Sequence, residues 1–539
     1  MNEPTFRRLF PSHQSASAAS KPMTPSPLSV WRSDDALKLF GWAVFLACWV
    51  ITQAQVSWSG NEINYFDLAH SWIAADQYTN AHASKDSSFA RIVSFLVMGG
   101  GVQVLGMEGA YHAFQLFFLV TTPLAFLVLA RALKIDVSIA ALTMVVFLFC
   151  GRESLVGAET LFGSIEPKSF AYLFVLLGLG CAVLDRRLLA AVLLAVAVYF
   201  HFLVGAFWGA AAFGLYLLRD KQLFRMVPAF GVFTCLVLPL FVGIVIERSG
   251  GVATDAFEIS LNAIYAEFRV PHHTAPYVET RLFFADWFWG FVLHAAIAGL
   301  FALWARRQSG SQATLSLWLA GLNAYILLAA LIAYLDRDTH ALALFYLFRP
   351  SGLILLLSIL WGLATGIELI KRWRTETVLG ALFVALILVA TPALHSAARV
   401  VQGPAPLAST ATPAQADMIE WVKQNTEADA VIVMEPVPTM RFMGEAVGIW
   451  VGMERLLERP TLVNFKFVPT AKADLARWYA LILWRQALFE GACDRITEYR
   501  VDYLITRTAG SPDVLSDCTR IIWQSDENMV LAVWPAAAP

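Results

Sequence analysis

Charge is what this 539-residue chain has least of: 15% of its residues are Asp, Glu, Lys or Arg, against about 25% in soluble domains. With 58% hydrophobic residues and a mean hydropathy of +0.60, that scarcity excludes a single water-soluble globule. Cysteine is scarce too. There are six, with no CxxC and no Cys/His spacing of the metal-binding kind, which excludes zinc ribbons and disulfide-stapled scaffolds. Also missing are a Walker-type phosphate loop, a GxSxG elbow, a GxGxxG turn after a strand and any nucleic-acid module. No nucleic-acid partner is expected, and the net charge of −2 says nothing of partners by itself.

What the chain does have is long uncharged runs, the signature of helices solvated by lipid. A helix crossing ~30 Å of hydrocarbon at 1.5 Å per residue needs about 20 residues. Spans are expected near 37–57, 111–130, 137–150, 169–184, 187–201, 203–218, 226–246, 284–305, 313–334, 351–369 and 376–396. The stretch 187–218 is long for one pass and short for two. Arg186 and Arg187 precede it, and Arg219, Lys221 and Arg225 follow. Basic residues keep to the cytoplasmic side, so the stretch reads as a hairpin of two short helices turning near His201.

The same rule puts Arg131/Lys134, Arg306/Arg307, Lys371/Arg372/Arg374 and the basic amino terminus on one side. Residues 1–36, rich in Ser, Pro and basic residues, are expected to be a disordered cytoplasmic segment, and the first apolar run a retained span. The transmembrane unit is then 37–396, with external loops at 58–110, 151–168, 247–283 and 335–350. RIVSFLVMGGGVQVLG (91–106) is short and Gly-rich, and reads as an interfacial helix within the first loop. Residues 397–539 change character. GPAPLASTATP is a linker, PAQADMIEWVKQNT has helical periodicity, and LARWYALILWRQALFEG is a helix between strands. AVIVME, TLVNFKF, DYLIT, RIIWQ and MVLAVW read as strands. The expectation is a multi-spanning α-helical membrane protein of about eleven transmembrane helices with a small external C-terminal α/β domain. Cys493 and Cys518 in that domain can pair if its compartment is oxidising.

Polar residues collect at three external span ends. WSGNEINYFDLAH brings Asn61, Glu62 and Tyr65 directly after the first span. A carboxylate there can take a proton from a hydroxyl acceptor; a polar pair can equally just end a span in water. GRESLVGAETLFGSIEPKSFAY crowds Arg152, Glu153, Glu159, Glu166 and Lys168 into one Gly/Pro-shaped loop. Arg152 and Lys168 can hold a lipid phosphate, with Glu166 orienting Lys168 or the acceptor; internal ion pairs are the other use of such a loop. LDRDTHALALFYLFRP begins with Asp336, Arg337, Asp338 and His340 and ends on Arg349 at the mouth of a span. An unpaired cation is costly there, so Arg349 calls for a phosphate, or for a carboxylate such as Asp336. His201, alone between two helices, faces a protein-lined cavity, in a hydrogen bond or in contact with substrate. His272 and His273 lie in a long loop that gates that cavity or binds the acceptor; no third metal ligand stands at a useful spacing. Arg441, Glu445, Lys466, Trp478 and Arg485 are candidates in the tail for glycan or loop contacts.

The pattern NExxYFxxA just after the first span resembles the DExxY-type motif of the GT-C superfamily, multi-spanning glycosyltransferases fed by polyprenyl-phosphate sugars. The span number, the juxtamembrane helix and the C-terminal domain are similar to that family's architecture, and IEWVKQNTEADAVIVMEP, MRFMGEAVGIW, NFKFVP and ARWYALILWR resemble tails of uncharacterised bacterial GT-C-like proteins. The resemblance implies transfer of a hexosyl or pentosyl unit from a polyprenyl-phosphate sugar to a hydroxyl of a glycan, lipid or protein acceptor. The place would be the outer face of the bacterial inner membrane, with a cytoplasmic N-terminus and a periplasmic C-terminal domain. Where the family commonly has Asp, this chain has Asn61. An amide is no base and a poor metal ligand, so the base falls to Glu62, with Asn61 beside it. No cofactor is expected, and nothing in the sequence supports a divalent metal. Lys168, Arg337, Arg349 and Arg152 would hold the donor phosphate, and Tyr65, Glu166, His201, Asp336 and Asp338 would contact substrate. Two other readings remain: a transporter or flippase of lipid-linked glycans, or a non-catalytic scaffold of the same fold.

Overall fold

The computed structural model describes residues 33–534 apart from 55–57, 59, 75–88, 151–153, 221–222, 249–258, 370–373, 438–449, 451, 467, 470 and 510–511. Among the described residues eight helices are long and apolar enough to cross a membrane: Asp35–Gln53, Phe89–Ala132, Phe202–Asp220, Val227–Glu247, Phe283–Arg307, Gly310–Leu335, Ser351–Glu368 and Thr375–Gln402. Three shorter apolar helices, Val137–Phe149, Pro167–Val183 and Arg187–Phe200, occupy the places of the remaining expected spans. The chain is a multi-pass membrane protein.

Local chemistry sets several of these ends. The Asp136 side chain accepts from Ser138 N at 2.9 Å and caps the helix Val137–Phe149, satisfying a donor the first turn leaves open. Pro167 opens its helix at a position where a missing N–H costs nothing. His201 is the single extended residue (φ −153°, ψ 104°) between Arg187–Phe200 and Phe202–Asp220. The turn is tight enough that a Cβ on Gly205 would lie 2.2 Å from Val198 N, so the expected hairpin is closed by a glycine. The interfacial helix of 91–106 and the span after it form one run, Ile92–Ala132, broken at Gly106 (φ 72°, ψ 173°), a left-handed backbone that suits glycine. The first helix packs against Arg374–Gln402 and Val137–Phe149. Trp49 meets Phe162 with ring centroids 4.8 Å apart, which ties the bundle core to the 158–166 loop.

The C-terminal unit starts slightly later than expected, because the helix Arg374–Gln402 runs past residue 397. Its sheet has four strands, β1 (Ile432–Met434), β2 (Tyr503–Arg507), β3 (Thr519–Gln524) and β4 (Asn528–Val533), in the order β1-β2-β4-β3. β1 and β2 are parallel, pairing Ile432 with Tyr503; the other pairs are antiparallel, with a bulge in β3 between Ile521 and Trp523. Side chains alternate across a strand. Val433, Leu504, Met529 and Leu531 face the helix Lys472–Phe489 with its Trp478, Leu481 and Trp484. Ile432, Met434, Ile505 and Val530 belong to a second core with the helix Pro413–Asn425 and with Ile63, Phe66 and Phe95 of the membrane unit. β1, β2 and most of β4 are covered on both sides, which is why they read as plain apolar runs, while β3 at the edge is largely exposed. TLVNFKF is the exception. Among its described residues only Thr461 bridges to the sheet, at Ile432; beyond it the Asn464 side chain binds Glu454 at 2.9 Å. Cys493 and Cys518 form a disulfide.

Candidate functional site

Where the C-terminal unit meets the helix ends of the membrane unit lies a cavity of 260 Å³. The helix Gly60–Ile73 gives it Asn61, Asn64, Tyr65 and Leu68, one face at i, i+3, i+4 and i+7. The loop before Pro167 adds Glu159, Thr160 and Glu166, and the helix start adds Lys168. Residues 264–274, wound partly as a π-helix, contribute Tyr265, Arg269, His272 and His273. Tyr346 and Arg349 come from the turn before Ser351, Arg91 from the start of the broken helix, and Lys466 from the C-terminal unit.

Five basic side chains (Arg91, Lys168, Arg269, Arg349 and Lys466) thus meet two carboxylates, Glu159 and Glu166, and three positive charges are left over. Lys168 Nζ lies 3.3 Å from Glu159 Oε2, 3.4 Å from Glu166 Oε2 and 3.0 Å from Thr160 Oγ1. Arg349 Nε lies 3.2 Å from Glu159 Oε1; its guanidinium covers the Tyr346 ring at 4.2 Å, and Nη1 sits 2.6 Å from His201 Nε2. Asn61 Nδ2 donates to Glu166 Oε1 at 3.2 Å. Arg269 donates to the Lys466 carbonyl at 3.1 Å. Burial, with Arg269 alongside, pushes the Lys466 amine down to about 8. Burial likewise takes His272 down to about 2, with His273 and Arg269 adding to the effect, and lowers His273 far below the ordinary imidazole range. A dry wall crowded with cations disfavours any further positive charge. The arrangement suits an anion carrying up to three charges, and a phosphate above all, since Arg and Lys bind its oxygens through short charge-assisted bonds.

A second, 50 Å³ cavity shares Arg91, Tyr265, Tyr346 and Arg349 with the first and adds Phe202, Leu203, Ile244, Leu344 and Phe345. Arg349 therefore stands between a polar chamber and an apolar slot. A larger cavity of 850 Å³ lies among the opposite helix ends, where Lys134, Asp136 and Glu368 are its charged residues. With one cation against two carboxylates it has none of this character.

Of the residues singled out in the sequence, Asn61, Tyr65, Glu159, Glu166, Lys168, His272, His273, Arg349 and Lys466 meet in the chamber, and His201 reaches it through Arg349. Glu62 does not. It has no exposed surface: Oε1 accepts from Ile165 N at 2.9 Å and Oε2 from the Tyr111 hydroxyl at 3.4 Å. One residue round the helix from Asn61 points into the core with Phe66 and Ala69, so Glu62 braces the loop behind the chamber. The cluster at 336–338 is elsewhere as well. Asp336 accepts from Ala341 N and Leu342 N at 3.1 and 2.7 Å and closes a turn. Arg337 pairs loosely with Asp338 at 3.7 Å and covers Tyr334, both ion-pair partners being exposed. Within the protein Arg349 pairs with Glu159 rather than with Asp336. Arg152, Arg441 and Glu445 lie outside the described residues. Trp478 and Arg485 are buried in the C-terminal unit. Arg91, Arg269 and Tyr346 carried no separate signal; each is one polar residue at the edge of an apolar run. Among the described residues no group of three His, Cys, Asp or Glu could hold a metal ion.

This is the fold of the GT-C membrane glycosyltransferases. A mutant form of the arabinofuranosyltransferase AftD from Mycobacteria superposes with a TM-score of 0.50 at 14% identity, over 93% of this chain. This chain spans 41% of that one. ArnT from Cupriavidus metallidurans, bound to undecaprenyl phosphate, aligns with a TM-score of 0.49 at 14% identity, over 92% of this chain and 97% of its own. No family model and no curated protein matches the sequence.

Proposed function

We propose that this protein is a glycosyltransferase that takes a sugar from a polyprenyl-phosphate donor and passes it to an acceptor hydroxyl at the membrane surface, on the side of its C-terminal unit. The observation that carries the reading is the chamber itself: five cations against two carboxylates, opening beside Arg349 onto an apolar slot among Phe202, Leu203 and Ile244. A lipid phosphate needs that pairing, charge for the head and an apolar path for the tail. Lys168, Arg269, Arg349 and Lys466 would hold the phosphate, with Tyr65, Tyr265 and Tyr346 flanking the sugar. When the anomeric C–O bond breaks, the phosphate diester becomes a monoester and gains a negative charge, and fixed cations in a water-poor site stabilise that charge as it develops. No general acid is then required. A divalent ion does not fit: both carboxylates are already matched by Lys168 and Arg349, and Asn61 is a weak ligand. The positive-inside pattern supports a bacterial inner membrane with the C-terminal unit in the periplasm, and the disulfide there suits that oxidising compartment.

The test uses the full chain in nanodiscs with radiolabelled polyprenyl-phosphate sugars and extracted envelope acceptors. Wild type should transfer label, and Arg349→Met should lose transfer together with polyprenyl-phosphate binding. A wild type that moves the labelled lipid between leaflets without transferring sugar would replace this reading with a flippase. One that binds the lipid and does neither would replace it with a scaffold.

A further inference from the structure

We propose that His273 is the base that removes the proton from the acceptor hydroxyl, an inference that rests on the glycosyl-transfer reading above. His273 sits on the short helical turn Pro271–Thr274 and lines the chamber. Its Nδ1 lies 2.6 Å from the Gly157 carbonyl oxygen. A carbonyl only accepts, so Nδ1 carries the hydrogen and the lone pair of the neutral ring is on Nε2. Nε2 has no hydrogen-bond partner among the described residues and is not sealed from the chamber. Behind the ring, Glu159 Oε1 lies 3.6 Å from Nδ1, placed to stabilise an imidazolium once it forms. One nitrogen fixed by an acceptor and backed by a carboxylate, the other open, is the arrangement of an oriented imidazole base.

The rivals are worse placed. Glu159 is matched by Lys168 and Arg349, and Glu166 by Lys168 and Asn61. Glu62 is closed off behind the Ile165 amide. The Lys466 amine, near 8, is mostly protonated at neutral pH.

The groups facing His273 also set an order of events. Arg349 and Lys168 approach from the membrane unit, Lys466 from the C-terminal unit, and Arg269 and His272 from its own loop, against Glu159 and the chamber's other carboxylate, Glu166. In the empty chamber this surplus keeps the ring neutral and weakly basic. An anionic donor phosphate offsets the surplus and raises the ring's proton affinity, so the base gains strength once the donor is in place. As the acceptor oxygen bonds to the anomeric carbon, its proton passes to Nε2. The anomeric C–O bond breaks with its electron pair on the lipid phosphate. The imidazolium then returns the proton to that phosphate or to water.

The test is His273→Asn in the full chain in nanodiscs, because the Asn amide keeps a donor for Gly157 and lacks the Nε2 lone pair. Turnover should fall by about 100-fold or more, with binding of polyprenyl phosphate unchanged. The wild-type kcat should decline toward acid pH, and the residual activity of the variant should lack that limb. Near-wild-type turnover in the variant, or an acid limb that persists in it, overturns the base and leaves the transfer reading standing. Should the variant not fold, the wild-type profile decides: a kcat with no acid limb overturns the proposal. A wild type that transfers from no polyprenyl-phosphate sugar overturns the transfer reading, and the base with it.

Discussion

Replacing Lys168 by methionine keeps an unbranched side chain one atom shorter and deletes its charge. Lys168 is 7% exposed, and its ammonium lies 3.3 and 3.4 Å from the carboxylates of Glu159 and Glu166, residues that are 5% and 3% exposed. At an effective dielectric of about 20 each attraction is about 5 kcal/mol before solvation is counted. Most of that is offset by the water all three groups gave up on folding, and removing one partner of a buried pair costs about 3–5 kcal/mol. Glu159 keeps Arg349 and Glu166 keeps Asn61, so the lower end, about 3 kcal/mol, is expected. The assay is thermal unfolding in nanodiscs together with polyprenyl-phosphate binding, on Lys168→Met and on Lys168→Met/Glu166→Gln. The double variant removes opposite charges together, and its stability should return to within about 1 kcal/mol of wild type. Its affinity for the lipid phosphate should not return, because the cation is still missing. A double variant that binds the lipid as wild type does would refute the phosphate role and leave Lys168 an ion-pair partner. A single variant as stable as wild type would refute the burial argument.

Glu62→Gln should keep transfer within about tenfold of wild type, since the amide oxygen can still accept from Ile165 N and the loss is about 1.4 kcal/mol in one buried bond; transfer at background would reinstate Glu62 as the base. Glu454 is held up to about 7 by burial, with Asp67 adding to the effect, and its Oε1 accepts from Thr461 and Asn464. Its folded value lies above the ordinary 4.5, so ionisation favours unfolding. The penalty is absent below pH 4.5, grows as pH rises to 7 and is complete above it at about 3 kcal/mol. Unfolding midpoints should fall between pH 5 and 8 in wild type and fall less in Glu454→Gln; equal slopes would refute the assignment. The Cys493–Cys518 bond closes a segment of 25 residues, worth about 3.5 kcal/mol of chain entropy; a Cys493→Ala/Cys518→Ala variant with an unchanged midpoint would contradict it.

Local physics made much of this molecule legible in its sequence. A bilayer forces each crossing into a helix of about 20 apolar residues, so the spans could be placed by counting, and loop charges separated the two helices that meet at His201. The strands at 430–435, 502–506, 520–524 and 529–534 could be read as short apolar runs. The cap at Asp136, the proline at 167 and the periodicity of Met418, Ile419 and Val422 are local too. TLVNFKF misled because its alternation met a sheet only at Thr461, while its polar residues had partners elsewhere.

The chamber belongs to tertiary structure. Its charges come from positions 91, 159, 166, 168, 269, 349 and 466, and no spacing along the chain says that these will meet. The first-loop motif shows why most sharply. Asn61 and Glu62 are neighbours in sequence, yet successive residues of a helix point about 100° apart. Asn61 shares a face with Asn64, Tyr65 and Leu68 and lines the chamber; Glu62 shares one with Phe66 and Ala69 and is buried. The sequence by itself determined that polar chemistry would gather at this end of the bundle, because charge is excluded from the spans. Which residue of each pair faces the ligand was decided only when the helix Gly60–Ile73 was packed against Ile92–Ala132 and the C-terminal sheet, since that packing sets the rotation of the helix about its own axis.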